Sequence, residues 1–362
     1  MRVLQLVPNF DIRYLMNDQI QISLALADKG HDVTVITSNY GENFDRYETP
    51  NFPATNVRVI NQRSALLKSP WSEVRVPIYL LPNLDYGEFD IIHAYNFFTC
   101  AHFQSILVSK LSKAKIVLRT EVESPDVWRS LTRPIVRMLF ANSAKPIDAF
   151  TTFTERGKRR IESLGIPSDK SYVVPPLLNR GPFLKIATTW PASFSVGMIG
   201  SISYVKGWDQ IVDTLVRYFT LYKQDRLLLA GTVEDETYAS ALLSRLNQLT
   251  NFKYLGPIFP SWRFFPMVNA VVFPSRKEGG PTAILEAMSS GRVVICSDIP
   301  PFNEWIKHGQ NGLIAKSAEE FFSCIEIARR DYKRISVNAI KGSELFDAKN
   351  VINKIEKIYC SL

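Results

Sequence analysis

The first forty residues alternate between short apolar runs and one amphipathic segment. Val3–Val7 and Val33–Thr37 are rich in aliphatic and β-branched residues and have the length of buried strands. Between them, Asp18–Lys29 carries apolar residues at helical spacing, and Gly30 follows where helices commonly end. The pattern therefore predicts a strand, a helix and a second strand.

The same rhythm recurs along the first half of the chain. Further apolar runs predict strands at Val57–Ile60, Asp90–Ala94, Lys115–Leu118, Ala149–Phe153 and Tyr172–Val174. Helical segments separate many of these runs. Strand–helix alternation of this kind favours a parallel sheet that is covered by helices on both faces.

Residues 175–192 are rich in turn formers, and the pattern restarts after them. Strands are predicted at Phe194–Ile199, Leu227–Ala230, Tyr254–Leu255, Ala270–Phe273 and Val293–Cys296, and helices at Gly207–Tyr222, Tyr238–Leu249 and Thr282–Ser290. We predict an α/β fold of two doubly wound, Rossmann-like parallel-sheet domains, residues 1–180 and 181–345, which face a central cleft where ligands bind. A C-terminal helix within residues 346–362 is expected to pack back on the first domain.

Composition narrows the class of protein. Hydrophobic residues make up 46% and charged residues 22% of the chain, which are ordinary globular values. No apolar run approaches the ~20 residues that span a bilayer, and the first residues are too quickly polar for a secretory signal. The 4 cysteines are far apart and lack metal-ligand spacing, so we expect reduced thiols and a cytosolic protein.

The net charge of +8 is unevenly distributed. Residues 110–160 hold 12 Lys/Arg against 5 Asp/Glu, whereas residues 186–362 hold 20 against 17. A basic belt suits an anionic partner, which could be a phosphorylated small molecule, an anionic membrane surface or nucleic acid. A solvated basic face is the simpler alternative.

One segment combines two carboxylates with a glycine turn. Glu278 lies in a loop after a strand, and Gly279-Gly280-Pro281 leads into a helix with Thr282 as its expected N-cap and Glu286 one turn further on. Backbone N–H groups at the glycines and the helix N-terminus suit a phosphate. The two carboxylates can accept hydrogen bonds from hydroxyls on either side of it. This arrangement indicates a nucleotide sugar as the ligand.

Residues 273–288 resemble the E-x7-E motif of retaining GT-B glycosyltransferases of family 4. The flanking residues 269–275 and 291–298 resemble the strands before and after that motif, and residues 304–313 resemble the block that follows. The resemblance implies that Glu278 contacts the donor sugar and that Glu286 holds the nucleotide ribose.

Residues 196–207 resemble the family's Lys-Gly unit, in which a lysine and an upstream arginine hold the donor diphosphate. Lys206 has the lysine position, and with Glu278 it is assigned to catalysis. Ser201 stands where the arginine is expected, so either Arg276, Lys277 or another basic residue substitutes for it, or diphosphate binding is weaker. The predicted substrate-binding residues are Gly200, Ser201, Gly231, Gly279, Gly280, Pro281, Thr282 and Glu286.

The first domain matches the family less well. Family members often have glycines after the first strand and a histidine after the fifth, whereas residues 9–14 contain no glycine and Arg119 and Glu121 follow the fifth strand. Arg119 and Glu121 are candidates for the catalytic corner, with core or salt-bridge roles as the alternative. His93 is interpreted as a packed histidine.

Three arginines in the basic belt, Arg129, Arg133 and Arg137, recur at four-residue spacing, which predicts one helix face. Apolar residues lie beside them. This combination suits a lipid-linked acceptor or an anionic membrane surface, with a solvated amphipathic helix as the alternative. We therefore expect a cytoplasmic protein that is peripheral at the inner face of the cell membrane.

The resemblance implies transfer of a hexosyl group from a nucleotide diphosphate sugar to a hydroxyl of a glycan or lipid-linked glycan, with retention and without a cofactor or metal. Cell-surface polysaccharide synthesis is the implied setting. A sugar-nucleotide epimerase or a phosphorylase on the same fold remains an alternative. A non-catalytic nucleotide-sugar-binding protein is another, which Ser201 and the missing histidine keep open. Nucleic-acid binding is not expected, since no module signature is present.

Overall fold

The computed structural model describes residues 1–7, 18–39, 56–68, 75–79, 81–82, 84–97, 99–122, 128–129, 131, 133–187 and 191–362. These residues form two compact units. The first comprises Met1–Leu177 and Ala348–Leu362, and the second comprises Leu178–Asp347. The chain leaves the first unit inside the turn-rich stretch 175–192 and returns to it for its last helix.

The first unit is built on one sheet. Its described strands are β1 Arg2–Val7, β2 Asp32–Asn39, β3 Val57–Lys68, β4 Arg75–Tyr79, β5 Ile91–Tyr95, β6 Lys115–Arg119, β7 Ala149–Thr152 and β8 Ser171–Val173. They are ordered β4-β3-β2-β1-β5-β6-β7-β8, and the chain changes direction across the sheet at β1. Every pairing is parallel except β3 with β4.

Helices cover both faces of this sheet. They are α1 Asp18–Asp28, α2 Cys100–Leu111, α3 Pro134–Ala144, α4 Glu155–Ser163 and the C-terminal helix Ala348–Ser361. Alternate residues of β1 enter separate apolar clusters: Val3 packs with α1 and the C-terminal helix, whereas Leu4 packs with α2 and α3. The Glu356 carboxylate fixes the C-terminal helix by pairing with His31 at 2.8 Å and Lys29 at 3.0 Å.

The second unit repeats this architecture with a fully parallel sheet. Its strands are β9 Ser195–Ile199, β10 Arg226–Ala230, β11 Phe252–Tyr254, β12 Ala270–Phe273, β13 Val293–Ser297 and β14 Leu313–Ala315, in the order β11-β10-β9-β12-β13-β14. Its helices are α5 Gly181–Leu184, α6 Val212–Leu221, α7 Glu236–Leu246, α8 Thr282–Ser289, α9 Phe302–Trp305 and α10 Ala318–Gly342. In one apolar cluster, the strands of this sheet pack against α6, α7 and α10.

The predicted class, two doubly wound α/β domains, is confirmed by these two sheets. Some details differ from the sequence predictions. The antiparallel edge strand β4 and the three-residue strand β14 were not predicted. The helix expected from Gly207 begins at Val212, because Gly207 has a left-handed backbone (φ 67°) between two 3₁₀ turns, Tyr204–Lys206 and Trp208–Gln210.

Candidate active site

The sheet order of the second unit places two predicted catalytic residues beside each other. β9 and β12 are adjacent parallel strands, and the chain builds outward from them in opposite directions. Lys206 lies in the segment that leaves the carboxyl end of β9, and Glu278 in the segment that leaves β12. Such a change of strand order opens the crevice in which doubly wound sheets bind ligands.

Lys206 and Glu278 form a partly buried ion pair at this point. The lysine Nζ lies 2.9 Å from Glu278 Oε1, and the Ser275 hydroxyl donates to the same oxygen at 2.7 Å. The side chain of Lys206 is 28% exposed and that of Glu278 is 9% exposed. The ammonium therefore reaches solvent while the carboxylate is held in place, so a ligand phosphate can approach the lysine.

A backbone contact holds the two segments together. The side-chain amide of Gln210 donates through Nε2 to the carbonyl of Pro274 at 2.8 Å, and the backbone N–H of Arg276 donates to the carbonyl of Val205 at 2.9 Å. Gly207 lies against the Pro274 carbonyl so closely that a Cβ would overlap it. Its left-handed conformation and this close approach both require glycine.

Arg276 and Asp209 join the same two segments through their side chains. The guanidinium forms two hydrogen bonds with the Asp209 carboxylate, at 2.7 and 2.6 Å, and lies 3.8 Å from the centroid of the Tyr204 ring. The Tyr238 hydroxyl donates to Asp209 at 2.7 Å. Hydrogen bonding from Arg276 lowers the pKa of Asp209, which keeps that carboxylate ionised. We call this group the Arg276–Asp209 clamp.

The Arg276–Asp209 clamp decides whether Arg276 can replace the arginine that is expected at the position of Ser201. Both terminal nitrogens of Arg276 already bind Asp209, so Arg276 does not act as a free cation for a diphosphate. The Ser201 hydroxyl lies 3.3 Å from that of Ser203. Asp209 was missed in the sequence because its partner is 67 positions away, and no local pattern joins them.

The ends of β9 and β10, near the Lys206–Glu278 pair, approach each other closely at Gly200 and Gly231. Gly200 N–H donates to the Ala230 carbonyl at 3.1 Å, and Gly231 N–H donates to the Gly256 carbonyl at 3.0 Å. A Cβ on Gly231 would overlap the carbonyl oxygen of Gly200. These two predicted substrate-binding glycines therefore have a packing role in the sheet edge, and their contact with a substrate stays a prediction.

Glu286 lies inside α8, as predicted, and its side chain is buried. Burial raises the pKa of this carboxyl to about 7, although a hydrogen bond from Ser261 partly opposes the shift. The helix begins at Thr282 with Pro281 as its N-cap, so the expected N-cap role of Thr282 is wrong. Gly279, Gly280, Pro281 and Thr282 are each half-exposed, and a ligand can reach them.

The fold of the whole chain is similar to that of Anabaena HepE. That protein was crystallised in complex with UDP and glucose, and the two chains superpose over 100% of each with a TM-score of 0.74 at 17% identity. Family models match both units: residues 20–180 match Glycosyltransferase Family 4. Residues 193–331 match Glycosyl transferases group 1. The chain belongs to the GT-B glycosyltransferases.

Relatives of this glycosyltransferase include enzymes of glycan synthesis. The lipopolysaccharide core biosynthesis mannosyltransferase LpcC of Rhizobium leguminosarum is 24% identical over 212 residues, which are 53% of this chain and 60% of LpcC. The N,N'-diacetylbacillosaminyl-diphospho-undecaprenol alpha-1,3-N-acetylgalactosaminyltransferase of Campylobacter jejuni is 26% identical over 157 residues, 42% of each chain. Each alignment covers less than two thirds of the relative.

In the first unit of the glycosyltransferase, Arg119 is buried and fully engaged by neighbouring groups. Its guanidinium binds Asp18 through Nε at 2.5 Å and Nη2 at 3.1 Å, and donates to the carbonyls of Val174 and Pro175 at 3.0 Å. Only 1% of its surface is exposed. These contacts support the salt-bridge role of Arg119, which was the alternative, and its catalytic role stays a prediction.

Glu121 lies in the same corner and is half-buried. Its N–H donates to the Asn96 side chain at 3.2 Å, and Asn96 has a left-handed backbone (φ 63°). Its catalytic role stays a prediction. His93 is fully buried and within 2.6 Å of the Tyr359 hydroxyl. Burial, reinforced by Arg119, lowers the pKa of His93 to about 3, so it is a neutral packed histidine.

The three arginines of the basic belt do not share one helix. Pro134 starts α3, and Arg133 is its extended N-cap (ψ 133°), because a residue before proline disfavours helical backbone. Arg129 lies before this break and Arg137 after it. All three are exposed, but the prediction of a single helix face is wrong. The loop at residues 9–14, which lacks the family's glycines, lies outside the described residues.

Neither a metal-ligand cluster nor a membrane-spanning helix occurs in the described ranges. No three His, Cys, Asp or Glu side chains in those ranges are grouped so that they could hold a metal ion. Among the same residues, no helix has both the length and the apolar character needed to cross a bilayer.

Proposed function

We propose that this protein transfers a sugar, with retention, from a nucleotide diphosphate sugar to a hydroxyl of a glycan or lipid-linked glycan. The observation that carries the proposal is the Lys206–Glu278 pair beside the strand-order change of the second unit. HepE binds UDP and glucose on the same fold, which supports the donor class. The names of the Rhizobium and Campylobacter relatives support an acceptor used in cell-surface polysaccharide synthesis.

In this mechanism the Lys206 ammonium leaves the Glu278 carboxylate and pairs with the donor diphosphate. The bond between the anomeric carbon and the phosphate oxygen breaks through an oxocarbenium-like state, and negative charge accumulates on the leaving group. The Lys206 ammonium offsets that charge, together with backbone N–H groups at Gly279, Gly280 and the start of α8. We propose that these groups serve a reaction that needs no metal ion or cofactor.

The two glutamates position the donor on either side of the diphosphate. Glu278, released from Lys206, accepts hydrogen bonds from sugar hydroxyls, and Glu286 accepts them from the ribose. Ser275 continues to hold Glu278 from behind through its hydroxyl. The acceptor oxygen then bonds to the anomeric carbon on the face that the diphosphate leaves, and the acceptor proton passes to the departing phosphate.

A panel of nucleotide diphosphate sugars tests the proposal. Purified protein, one donor and a glycan or polyprenyl-linked acceptor should release the nucleotide diphosphate and yield a glycoside whose anomeric configuration, read by NMR, matches the donor. Interconversion of sugar nucleotides without an acceptor would instead show an epimerase. Thermal stabilisation by a donor with no release in any mixture would show a binding protein. Either result contradicts the proposed transfer.

Removal of the Arg276–Asp209 clamp should lower activity more than stability. Arg276→Gln frees the Glu278 segment from the Lys206 segment, and misplacement of reacting groups costs roughly tenfold or more in turnover. Because the pair is partly exposed, its loss should cost less than about 1 kcal/mol of unfolding free energy. Steady-state kinetics and urea unfolding measure the two effects.

A matched control distinguishes the misplacement of active-site residues from the general effect of losing a surface ion pair. Arg245 and Asp213 form an exposed pair in the same unit, and Arg245→Gln should leave kinetics unchanged. The charge-swapped variant, Asp209→Arg with Arg276→Asp, should recover part of the activity. Equal kinetics for Arg276→Gln and Arg245→Gln would show that the clamp does not position the site.

Donor binding should strengthen with pH around the pKa of Glu286. Its carboxylate form accepts hydrogen bonds from ribose hydroxyls, and with a pKa of about 7 this form grows about tenfold between pH 6 and pH 8. We expect the donor Kd, measured by calorimetry, to fall about tenfold over that range. Glu286→Gln should remove this pH dependence and weaken binding at pH 8.

The unfolding free energy of the ligand-free protein should decrease as pH rises, whereas donor affinity increases. Folding raises the pKa of Glu286 from 4.5 to about 7, so the folded state favours the protonated form. Its contribution to stability is present below pH 4.5 and is lost as pH rises through 7. Glu286→Gln should flatten this part of the melting-temperature profile. An unchanged profile would place the titration on another group.

A further inference from the structure

Helices α2 and α3 are neighbours on one face of the first sheet. α2 connects β5 to β6, and α3 lies between β6 and β7, which are consecutive strands of the sheet. The Phe97 ring packs against both helices, with its centroid 4.8 Å from that of Phe140 in α3 and 6.0 Å from that of His102 in α2. The two helices therefore present their outer surfaces to solvent side by side.

Large apolar side chains cover these outer surfaces. On α2 they recur every fourth residue and form one stripe: Phe103, Leu107 and Leu111, each more than half exposed. On α3 they are Ile135, Met138 and Leu139. Of the 13 large hydrophobic residues that are exposed in the described part of the chain, 6 belong to this pair of helices. We call the six residues the α2–α3 apolar face.

The charged side chains that α2 and α3 themselves carry have one sign. Neither helix contains an aspartate or a glutamate. Among the described residues of the two helices and their immediate sequence neighbours, the exposed charged side chains are basic. Lys110, Lys113, Arg133 and Arg137 lie at the helix ends or beside the apolar residues. An apolar surface with a basic border is complementary to a bilayer that has apolar chains below anionic headgroups.

The chemistry of this surface discriminates against a nucleic acid. Single-stranded nucleic acids are held by aromatic platforms on which bases stack, but five of the six apolar residues are aliphatic or methionine. Aliphatic side chains instead gain free energy by entering the acyl region of a membrane. The absence of acidic residues on both helices also matches the negative surface of a leaflet better than it matches a mixed-charge protein surface.

We propose that the α2–α3 apolar face docks the protein on an anionic lipid bilayer. Phe103, Leu107, Leu111, Ile135, Met138 and Leu139 enter the headgroup–acyl boundary, and the four basic residues contact lipid phosphates. This surface does not depend on the proposed glycosyl transfer, since none of its residues belongs to the second unit.

Vesicle co-sedimentation tests the docking. The full chain should bind phosphatidylcholine vesicles that contain phosphatidylglycerol, and should bind vesicles of phosphatidylcholine only weakly. Two variants probe the two parts of the surface: Leu107→Gln with Leu139→Gln, and Lys110→Glu with Arg133→Glu. Since one basic residue near an anionic leaflet contributes about fivefold to partitioning, the charge-reversed variant should bind at least ~25-fold more weakly.

Controls in the second unit match each variant. Leu221→Gln with Val337→Gln changes two apolar residues that are 65% and 67% exposed, more than Leu107 and Leu139 are, and Lys223→Glu with Lys253→Glu reverses two exposed charges. Both control proteins should bind as the wild type does. Circular dichroism and melting temperatures confirm that each variant is folded.

Three results would overturn the proposal. Equal binding to neutral and anionic vesicles would remove the role of the basic border. If both α2–α3 variants bind vesicles as strongly as the wild type does, another surface of the protein contacts the membrane. A concentration-dependent dimer that the Leu107→Gln and Leu139→Gln variant abolishes, with no vesicle binding, would show that a second copy of the chain covers this face.

Discussion

Replacing Lys206 with methionine should reduce turnover by about 10²–10³-fold, the usual effect of removing one preorganised group that stabilises developing negative charge. Methionine keeps much of the length of the lysine side chain but has no charge. The change also leaves the Glu278 carboxylate without its cationic partner, so that a second negative charge faces the donor diphosphate. Nucleotide release under saturating donor and acceptor measures the loss.

A double-mutant cycle separates the two effects of this substitution. If Glu278 opposes the diphosphate once Lys206 is removed, then Glu278→Gln in the Lys206→Met background should cost much less than Glu278→Gln in the wild type. The exposed Lys223 gives the matched control, since Lys223→Met should leave turnover intact. Full activity of Lys206→Met, with unchanged melting temperature, would remove the proposed mechanism.

The sheets could be predicted because their strands are buried on both faces. Ala270–Phe273 was predicted to the residue, since all four positions are buried and Asn269 and Pro274 bound the run. The edge strand Arg75–Tyr79 was missed because Pro77 argues against a strand, and proline is tolerated where one side of the strand has no partner. The strand Leu313–Ala315 is too short to show a period.

Only those site residues could be predicted that a local sequence pattern identifies. Glu278 and Lys206 follow strand ends, so a chain with the right strand order brings them together. Asp209 binds Arg276, and Asp18 binds Arg119, across 67 and 101 positions. Pairing over such separations depends on tertiary packing, and a single sequence gives no periodicity or motif from which to infer it. Arg119 was therefore assigned to catalysis when its partners were unknown.

Replacement of Arg119 with leucine should destabilise the protein by about 3–5 kcal/mol, because it leaves the buried Asp18 carboxylate without its cation. The loss also frees the carbonyls of Val174 and Pro175 just before the chain leaves the first unit. Asp18→Leu should cost a similar amount, since the guanidinium then loses its counter-charge. The double variant should cost clearly less than the sum of the two, because no uncompensated buried charge remains.

Urea unfolding measures these effects, and turnover per folded molecule decides between the two roles of Arg119. A structural residue changes the folded fraction, whereas a catalytic one changes the rate of molecules that are still folded. At a temperature well below the variant's melting point, Arg119→Leu should therefore retain most of its turnover. The exposed pair of Arg2 with Glu88, 2.9 Å apart, provides a control, and Arg2→Leu should change stability little. A stable, inactive Arg119→Leu protein would return Arg119 to the catalytic corner, with Glu121 beside it.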